Sequence, residues 1–211
     1  MPSFELENGY PGEVVCGVDE AGLGPLAGAL VVAACHIMDQ HLPVELMENI
    51  DDSKRLTGKK REQLLGLIEN CPGIKYGVSI IENTEIDAMG LSKAWQKGIV
   101  DAVSKLPVSC CPTLCLLDGK RKVEIPNCKC VPVIKGDQKS FSIATASIIA
   151  KVTRDRIMRK IHEEFPEYGF DKHVGYGTRQ HLEALSRFGA CKYHRQSYAP
   201  VAKVVRSKME K

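Results

Sequence analysis

The chain has 211 residues, 44% of them hydrophobic and 26% charged, with a formal net charge of +3 at pH 7. This composition excludes collagen-like and disordered classes. The length fits a single domain over residues 1–211, and no apolar run is long enough to cross a bilayer. The slight positive balance permits a nucleic-acid partner without requiring one. Of the nine cysteines, Cys16, Cys35 and Cys115 lie inside apolar runs, where cysteine behaves as a small hydrophobe. No Cys-x-x-Cys pair occurs, and the N-terminus lacks the basic-then-apolar pattern of a signal peptide. Reduced structural thiols in a cytoplasmic protein are expected.

Residues 1–13 read as a loose leader. Residues 14–18 form an apolar, β-branched strand that runs into Asp19-Glu20 and then into the glycine-rich stretch Gly22-Leu23-Gly24-Pro25. Residues 29–37 are a second strand, apolar enough to be buried on both faces, and the short turn between the two predicts an antiparallel pair. Residues 51–56 are a polar loop. Thr57 is placed to cap a helix whose apolar face is Leu64, Leu65, Leu67 and Ile68. Residues 75–81 alternate, with Tyr76, Val78 and Ile80 on the face expected to be buried. A helical region over 83–105 is interrupted at Gly90, with Trp95, Ile99 and Val103 as core residues.

Residues 113–117 are a fourth strand ending at Asp118-Gly119. Residues 131–134 are a fifth, and its Pro132 predicts a position near a sheet edge. Residues 140–165 read as the longest helix, with Ile143, Ala146, Ile149, Ala150, Ile157 and Ile161 facing inward. Residues 178–188 form a last helix, stopped by Gly189. Three early strands followed by helix-separated strands give an α/β fold, a mixed five-stranded sheet with helices on both faces.

Asp19 and Glu20, Asp118 and Asp137 all stand at or after strand ends, where α/β proteins gather their ligands. Singly, Asp118-Gly119 also reads as a turn and Asp137 as a helix-start residue. Converged, four carboxylates would repel unless a cation compensated them. Mg²⁺ and Mn²⁺ favour such hard oxygen ligands, and a pair of them can drive phosphodiester hydrolysis. His173, His181 and His194 are not needed for that chemistry and read as structural.

The stretch Asp19-Glu20-Ala21-Gly22-Leu23-Gly24-Pro25-Leu26-Ala27-Gly28 resembles the N-terminal active-site motif of ribonuclease HII. Asp52-Ser53-Lys54-Arg55-Leu56, Leu117-Asp118-Gly119, Lys135-Gly136-Asp137-Gln138-Lys139-Ser140 and the run from Ala146 to Arg156 are similar to further motifs of that family. So are Gly175-Tyr176-Gly177-Thr178 and the closing His194-Arg195-Gln196-Ser197-Tyr198-Ala199-Pro200-Val201. The resemblance spans about 14–201 in the family's order. It implies an RNase H-like core over 14–165 with a C-terminal helical extension over 166–211. It implies a monomeric endonuclease that uses Mn²⁺ or Mg²⁺ and cleaves RNA in RNA–DNA hybrids. That enzyme would also incise 5′ of a single ribonucleotide embedded in duplex DNA.

Asp19, Glu20, Asp118 and Asp137 match the metal-binding acids. Gly22, Leu23 and Gly24 match the turn that contacts the 2′-hydroxyl, and Tyr176 matches the tyrosine packed on the sugar at the RNA–DNA junction. Lys54, Ser147 and Lys151 would hold phosphates. Leu23 departs from the family, which usually carries Arg or Lys there. Ribonuclease HIII fits less well, since it usually carries an extra N-terminal domain. Residues 201–211 show no aromatic anchor of the sliding-clamp type. Two other readings are a catalytically weak nucleic-acid-binding protein on this fold, and a small-molecule phosphohydrolase with Asp118 as nucleophile.

Overall fold

The computed structural model describes residues 1–209, so the last two residues of the tail, Glu210 and Lys211, lie outside the described residues. In chain order the elements are α1 (Glu5–Asn8), β1 (Val15–Ala21), β2 (Leu30–Ile37), α2 (Val44–Asn49), α3 (Gly58–Glu69), β3 (Ile74–Ile81), α4 (Asn83–Met89) and α5 (Leu91–Ser104). There follow β4 (Leu114–Asp118), β5 (Lys129–Val133), α6 (Phe141–Glu164), α7 (Phe170–His173), α8 (Arg179–Phe188) and α9 (Ala199–Met209). The strands form one mixed sheet in the order β3-β2-β1-β4-β5. β1 pairs antiparallel with β2 and parallel with β4, and β4 pairs parallel with β5. Among the described residues no helix is long and apolar enough to cross a membrane.

Local chemistry sets several boundaries as expected. The Thr57 side chain accepts from Lys60 N at the start of α3, and Thr178 does the same for His181 N at the start of α8. Gly90, at φ 81°, separates α4 from α5, and Gly189, at φ 89°, ends α8. β5, with Pro132, is an edge strand. It begins at Lys129, earlier than the apolar pattern indicates, and Ile134 is exposed. The connection from β4 to β5 contains no helix.

By compactness the described chain divides into two units. The first comprises Met1–Ala21, Val31–Ser79 and Gln96–Val152; the second comprises Gly22–Leu30, Ile80–Trp95 and the chain from Thr153 onward.

In the first unit, Val15, Leu114, Leu116 and Val133 meet Ile143 of α6. A Cβ at Gly17 would collide with the backbone of Ser142 and Ile143, so α6 lies on β1 as closely as main chain allows. The leader is not loose. Glu7 Oε1 accepts hydrogen bonds from Ser140 Oγ, Ser142 Oγ and Ser142 N at 2.7–2.9 Å, a carboxylate at the start of α6. Phe4 stacks on Phe141 with centroids 4.6 Å apart. Along β3 the expected faces are reversed. Gly77 and Ser79 are buried, while Ile80 is exposed. A Cβ at Gly77 would strike the Ala102 carbonyl of α5, so the smallest residues take the helix-facing side.

In the second unit, Ala27, Met158, Ile161, Tyr168, Phe170 and Ala184 form a core, beside which His173, His181 and His194 are buried. The partners fix the tautomers of two of these rings. Cys191 N donates to His194 Nδ1 at 3.0 Å, and His181 Nδ1 donates to Tyr176 O at 2.9 Å. His194 Nε2 must then donate to His181 Nε2 across 3.1 Å. Protonating either ring would set two N–H groups against each other. Burial, with the neighbouring His181, pulls His194 down to about 4 from 6.5. Between those values the unfolded chain binds a proton that the native chain refuses. Stability therefore falls as pH is lowered from 6.5 to 4, by about 3 kcal/mol if His194 acts alone. An NMR titration checks this: the His194 ring should keep its neutral-form shifts below pH 5, and a midpoint near 6.5 would refute it.

Candidate functional site

The register of the parallel pair β1–β4 matches Val18 with Leu117, which sets Asp19 beside Asp118 one step further on. Both project to the face that α6 covers, the side on which Gly17 and Leu116 also lie. Asp137 arrives from the one-turn 3-10 segment Gly136–Gln138, between β5 and α6. Carboxylate oxygens of Asp19, Asp118 and Asp137 all lie within 4.8 Å of one another. Asp19 is 5% exposed and Asp137 3%. Glu20 is outside this trio, because neighbouring residues of a strand point to opposite faces. Its charge still acts on Asp19.

The supports are specific. Gly136 N donates to Asp118 Oδ1 at 2.7 Å. A Cβ at Gly136 would stand 3.2 Å from that oxygen and 2.6 Å from Ile143 Cδ1, so any larger residue would press on both. Ser147, on α6, hydrogen-bonds Asp19 and pairs with Ser53 Oγ at 2.8 Å. Lys151 follows Ser147 by one turn and is half-buried. Lys54 Nζ donates to Asp137 Oδ2 at 3.1 Å.

Asp52, which sequence reasoning gave no role, is buried and organises this loop. It accepts from Lys54 N at 2.9 Å and from Gln138 Nε2 at 3.3 Å. Arg61 Nη1 braces the same loop through the carbonyls of Ser53 and Leu56.

Burial, then the charges of Glu20 and Asp118, push the Asp19 carboxyl well above its ordinary 3.8. Asp137 is also raised by burial and by Asp118, against the pull of Lys54. Burial lowers Lys54, but the hydrogen bond and charge of Asp137 outweigh it, and the ammonium is raised. One exposed ammonium, its side chain 74% open to solvent, does not neutralise three clustered carboxylates. The trio is an all-oxygen, anionic donor set, and it fits a hard divalent cation.

The glycine turn belongs to the second unit. Arg195, 0% exposed, spans it: Nη2 donates to Gly22 O at 2.7 Å, Nη1 to Leu23 O at 3.1 Å and Nε to Gly28 O at 3.0 Å. Tyr198 OH also donates to Leu23 O, at 2.8 Å. Arg154, equally buried, takes the carbonyls of Ala27, Ala29 and Val174, and burial draws its guanidinium down to about 10. In a trans peptide N–H opposes C=O. With the Gly22 and Leu23 carbonyls turned onto Arg195, the amides of Leu23 and Gly24 therefore point away from it. Tyr176, 47% exposed, has its ring against Gly24, 3.6 Å from where a Cβ would stand. Neither arginine was assigned from sequence, although Arg195 lies in the closing motif. Cations are expected at the surface.

The family model described as Ribonuclease HII matches residues 16–201. Ribonuclease HII of Chlamydia muridarum (strain MoPn / Nigg) is 46% identical over 202 residues, covering 95% of this chain and 88% of the relative. That of Parvibaculum lavamentivorans is 44% identical over 207 residues, covering 98% and 74%. Among solved structures, the ribonuclease H2 from Pyrococcus horikoshii OT3 superposes with a TM-score of 0.77 at 26% identity, over 93% of this chain and 99% of that one.

Proposed function

The chain belongs to the ribonuclease HII family, and from that premise we propose that it incises duplex DNA 5′ of single embedded ribonucleotides, as well as cleaving the RNA of RNA–DNA hybrids. It is a metal-dependent ribonuclease H by family. The finer reading rests on one observation: three carboxylates within 4.8 Å, one of them held far above its ordinary pKa.

In this reading Asp19, Asp118 and Asp137 would hold Mg²⁺ or Mn²⁺, and Glu20, whose charge acts on Asp19, would complete the set. Two such ions would supply the Lewis acidity that makes a water nucleophilic and stabilises the leaving oxygen. Water adds to phosphorus, the bond to the upstream 3′-oxygen breaks, and 3′-hydroxyl and 5′-phosphate ends result. Lys54, Ser147 and Lys151 hold phosphates and keep the strand in register. The outward amides of the Gly22-Leu23-Gly24 turn meet the 2′-hydroxyl, the group that distinguishes RNA from DNA, and Tyr176 packs on the sugar. Residues 1–211 act as one monomeric catalytic domain in the cytoplasm, in ribonucleotide removal from DNA.

The test is an end-labelled duplex with one ribonucleotide, incubated with Mg²⁺ or Mn²⁺ beside an all-DNA control. A metal-dependent nick 5′ of the ribonucleotide is expected. A bound but uncut duplex in either metal would replace this reading with that of a binding protein. Leu23 leaves the turn without a cationic side chain, so Leu23→Arg should bind the duplex more tightly, with a log K against log salt slope steeper by about 1. Equal slopes for the two proteins would show that position 23 makes no phosphate contact.

A further inference from the structure

Four thiols gather on the face of the sheet opposite the aspartate trio. Cys16, Cys115 and Cys130 stand in register on three adjacent strands, β1, β4 and β5. Cys115 lies three residues before Asp118 on its strand, and Cys16 three before Asp19, so alternation turns both thiols away from the carboxylates. Cys115 Sγ is 3.1 Å from Cys16 Sγ and 3.2 Å from Cys128 Sγ. Cys16 and Cys115 are buried, whereas Cys128 and Cys130 are half-exposed.

We propose that Cys128 and Cys115 form an oxidisable dithiol, with Cys128 as the thiol that meets peroxide and Cys115 as the one that resolves it into a disulfide. Three observations carry this. Cys115 is central, with a sulfur neighbour on either side. Of the two neighbours whose sulfurs lie within 3.2 Å, only Cys128 is open to solvent. The contacts are also closer than the spacing of about 3.8 Å that thiolates take around tetrahedral zinc, which favours a covalent pair over a metal cage.

The electrostatics agree. Hydrogen bonding among the thiols raises the pKa of Cys115 and lowers those of Cys128 and Cys130, Cys130 to about 7. Proton and thiolate are thereby divided between a buried resolver and its half-exposed neighbours. The Cys128 thiolate attacks the peroxide O–O bond, giving a sulfenic acid and one water. Cys115 then attacks that sulfur, the S–O bond breaks and a second water leaves. Two thiols are oxidised to one disulfide, and one peroxide is reduced to two waters. A thiol reductant reverses the bond by exchange.

The test exposes the whole protein to hydrogen peroxide and quenches it in acidic denaturant. Alkylation and tryptic peptide mapping follow, with tandem spectra locating each sulfur. Trypsin cuts after Lys122 and Lys129, so Cys128 and Cys130 fall on separate peptides. A Cys115–Cys128 cross-link should form first, vanish with dithiothreitol, persist in Cys130→Ser and be absent from Cys128→Ser. In Cys128→Ser the loss of the Cys115 thiol should slow at least tenfold. A link through Cys130 or Cys16 would overturn the proposal. So would Cys128 carried to sulfinic acid beside a free Cys115, or exposed Cys111 oxidised while Cys128 stays reduced.

Discussion

Asp118→Asn is expected to abolish cleavage of a ribonucleotide-bearing duplex and, with chelator present, to raise the melting temperature. The substitution keeps the shape: an amide oxygen can still accept the 2.7 Å hydrogen bond from Gly136 N, so the turn that delivers Asp137 should survive. What it removes is the negative charge of one carboxylate in a trio whose oxygens lie within 4.8 Å of one another. Metal ions stabilise such transition states by several kcal/mol, so the rate should fall by about 10³-fold or more.

The stability gain has a definite sign. The Asp118 charge helps hold Asp19 above 3.8 in the native state. A carboxyl raised in this way favours the fold at low pH and loses that contribution as pH rises through its native pKa. Relief by Asp118→Asn should therefore be present at neutral pH and vanish below about pH 4. Paired nicking assays and thermal melts decide it, and a cleavage rate within tenfold of the parent would remove Asp118 from the metal set.

Arg195→Met should be the costliest single change in the second unit. The guanidinium is fully buried and serves the carbonyls of Gly22, Leu23 and Gly28 together. Methionine fills similar volume but strands the Gly22 and Gly28 carbonyls away from water and leaves Leu23 O to Tyr198 alone, at a cost of about 4 kcal/mol. For a chain of this length that corresponds to a melting temperature lower by roughly 10 °C. Arg195→Lys should recover little, because one ammonium cannot span three carbonyls as a planar fork does. A fall of under 3 °C for the methionine variant would show that Tyr198 and the chain around it hold the turn without the arginine.

Much of this was legible from residue order. The glycine turn is too short for a crossover, so β1 and β2 had to be antiparallel. Gly90, Thr57, Thr178 and Gly189 mark helix ends through local φ or capping chemistry, which sequence carries directly. Asp19, Asp118 and Asp137 could be grouped because strand ends are where α/β sheets collect ligands. Most of the misses have one cause: contacts between distant residues.

The leader is tied by Glu7 to Ser142, 135 residues away. β1 continues through Asp19, Glu20 and Ala21 because β2 pairs with them, although the apolar run ends at Val18. The alternation that separates Glu20 from the trio follows from that extension. β3 shows small residues to α5 because of how near the helix lies, which its own hydrophobic pattern contradicts. The helices α2 and α7, of six and four residues, are too short to display a period.

The way Arg195 and Arg154 grip the glycine turn has an evolutionary consequence. Its shape is set by carbonyls clasped by the two guanidiniums, with the Leu23 and Gly24 amides turned away from Arg195. Amides are common to all residues but proline, so the side chain at position 23 can drift while the presented surface stays the same. Leucine or any other side chain can therefore stand at position 23 without altering the main-chain shape that Arg195 and Arg154 hold.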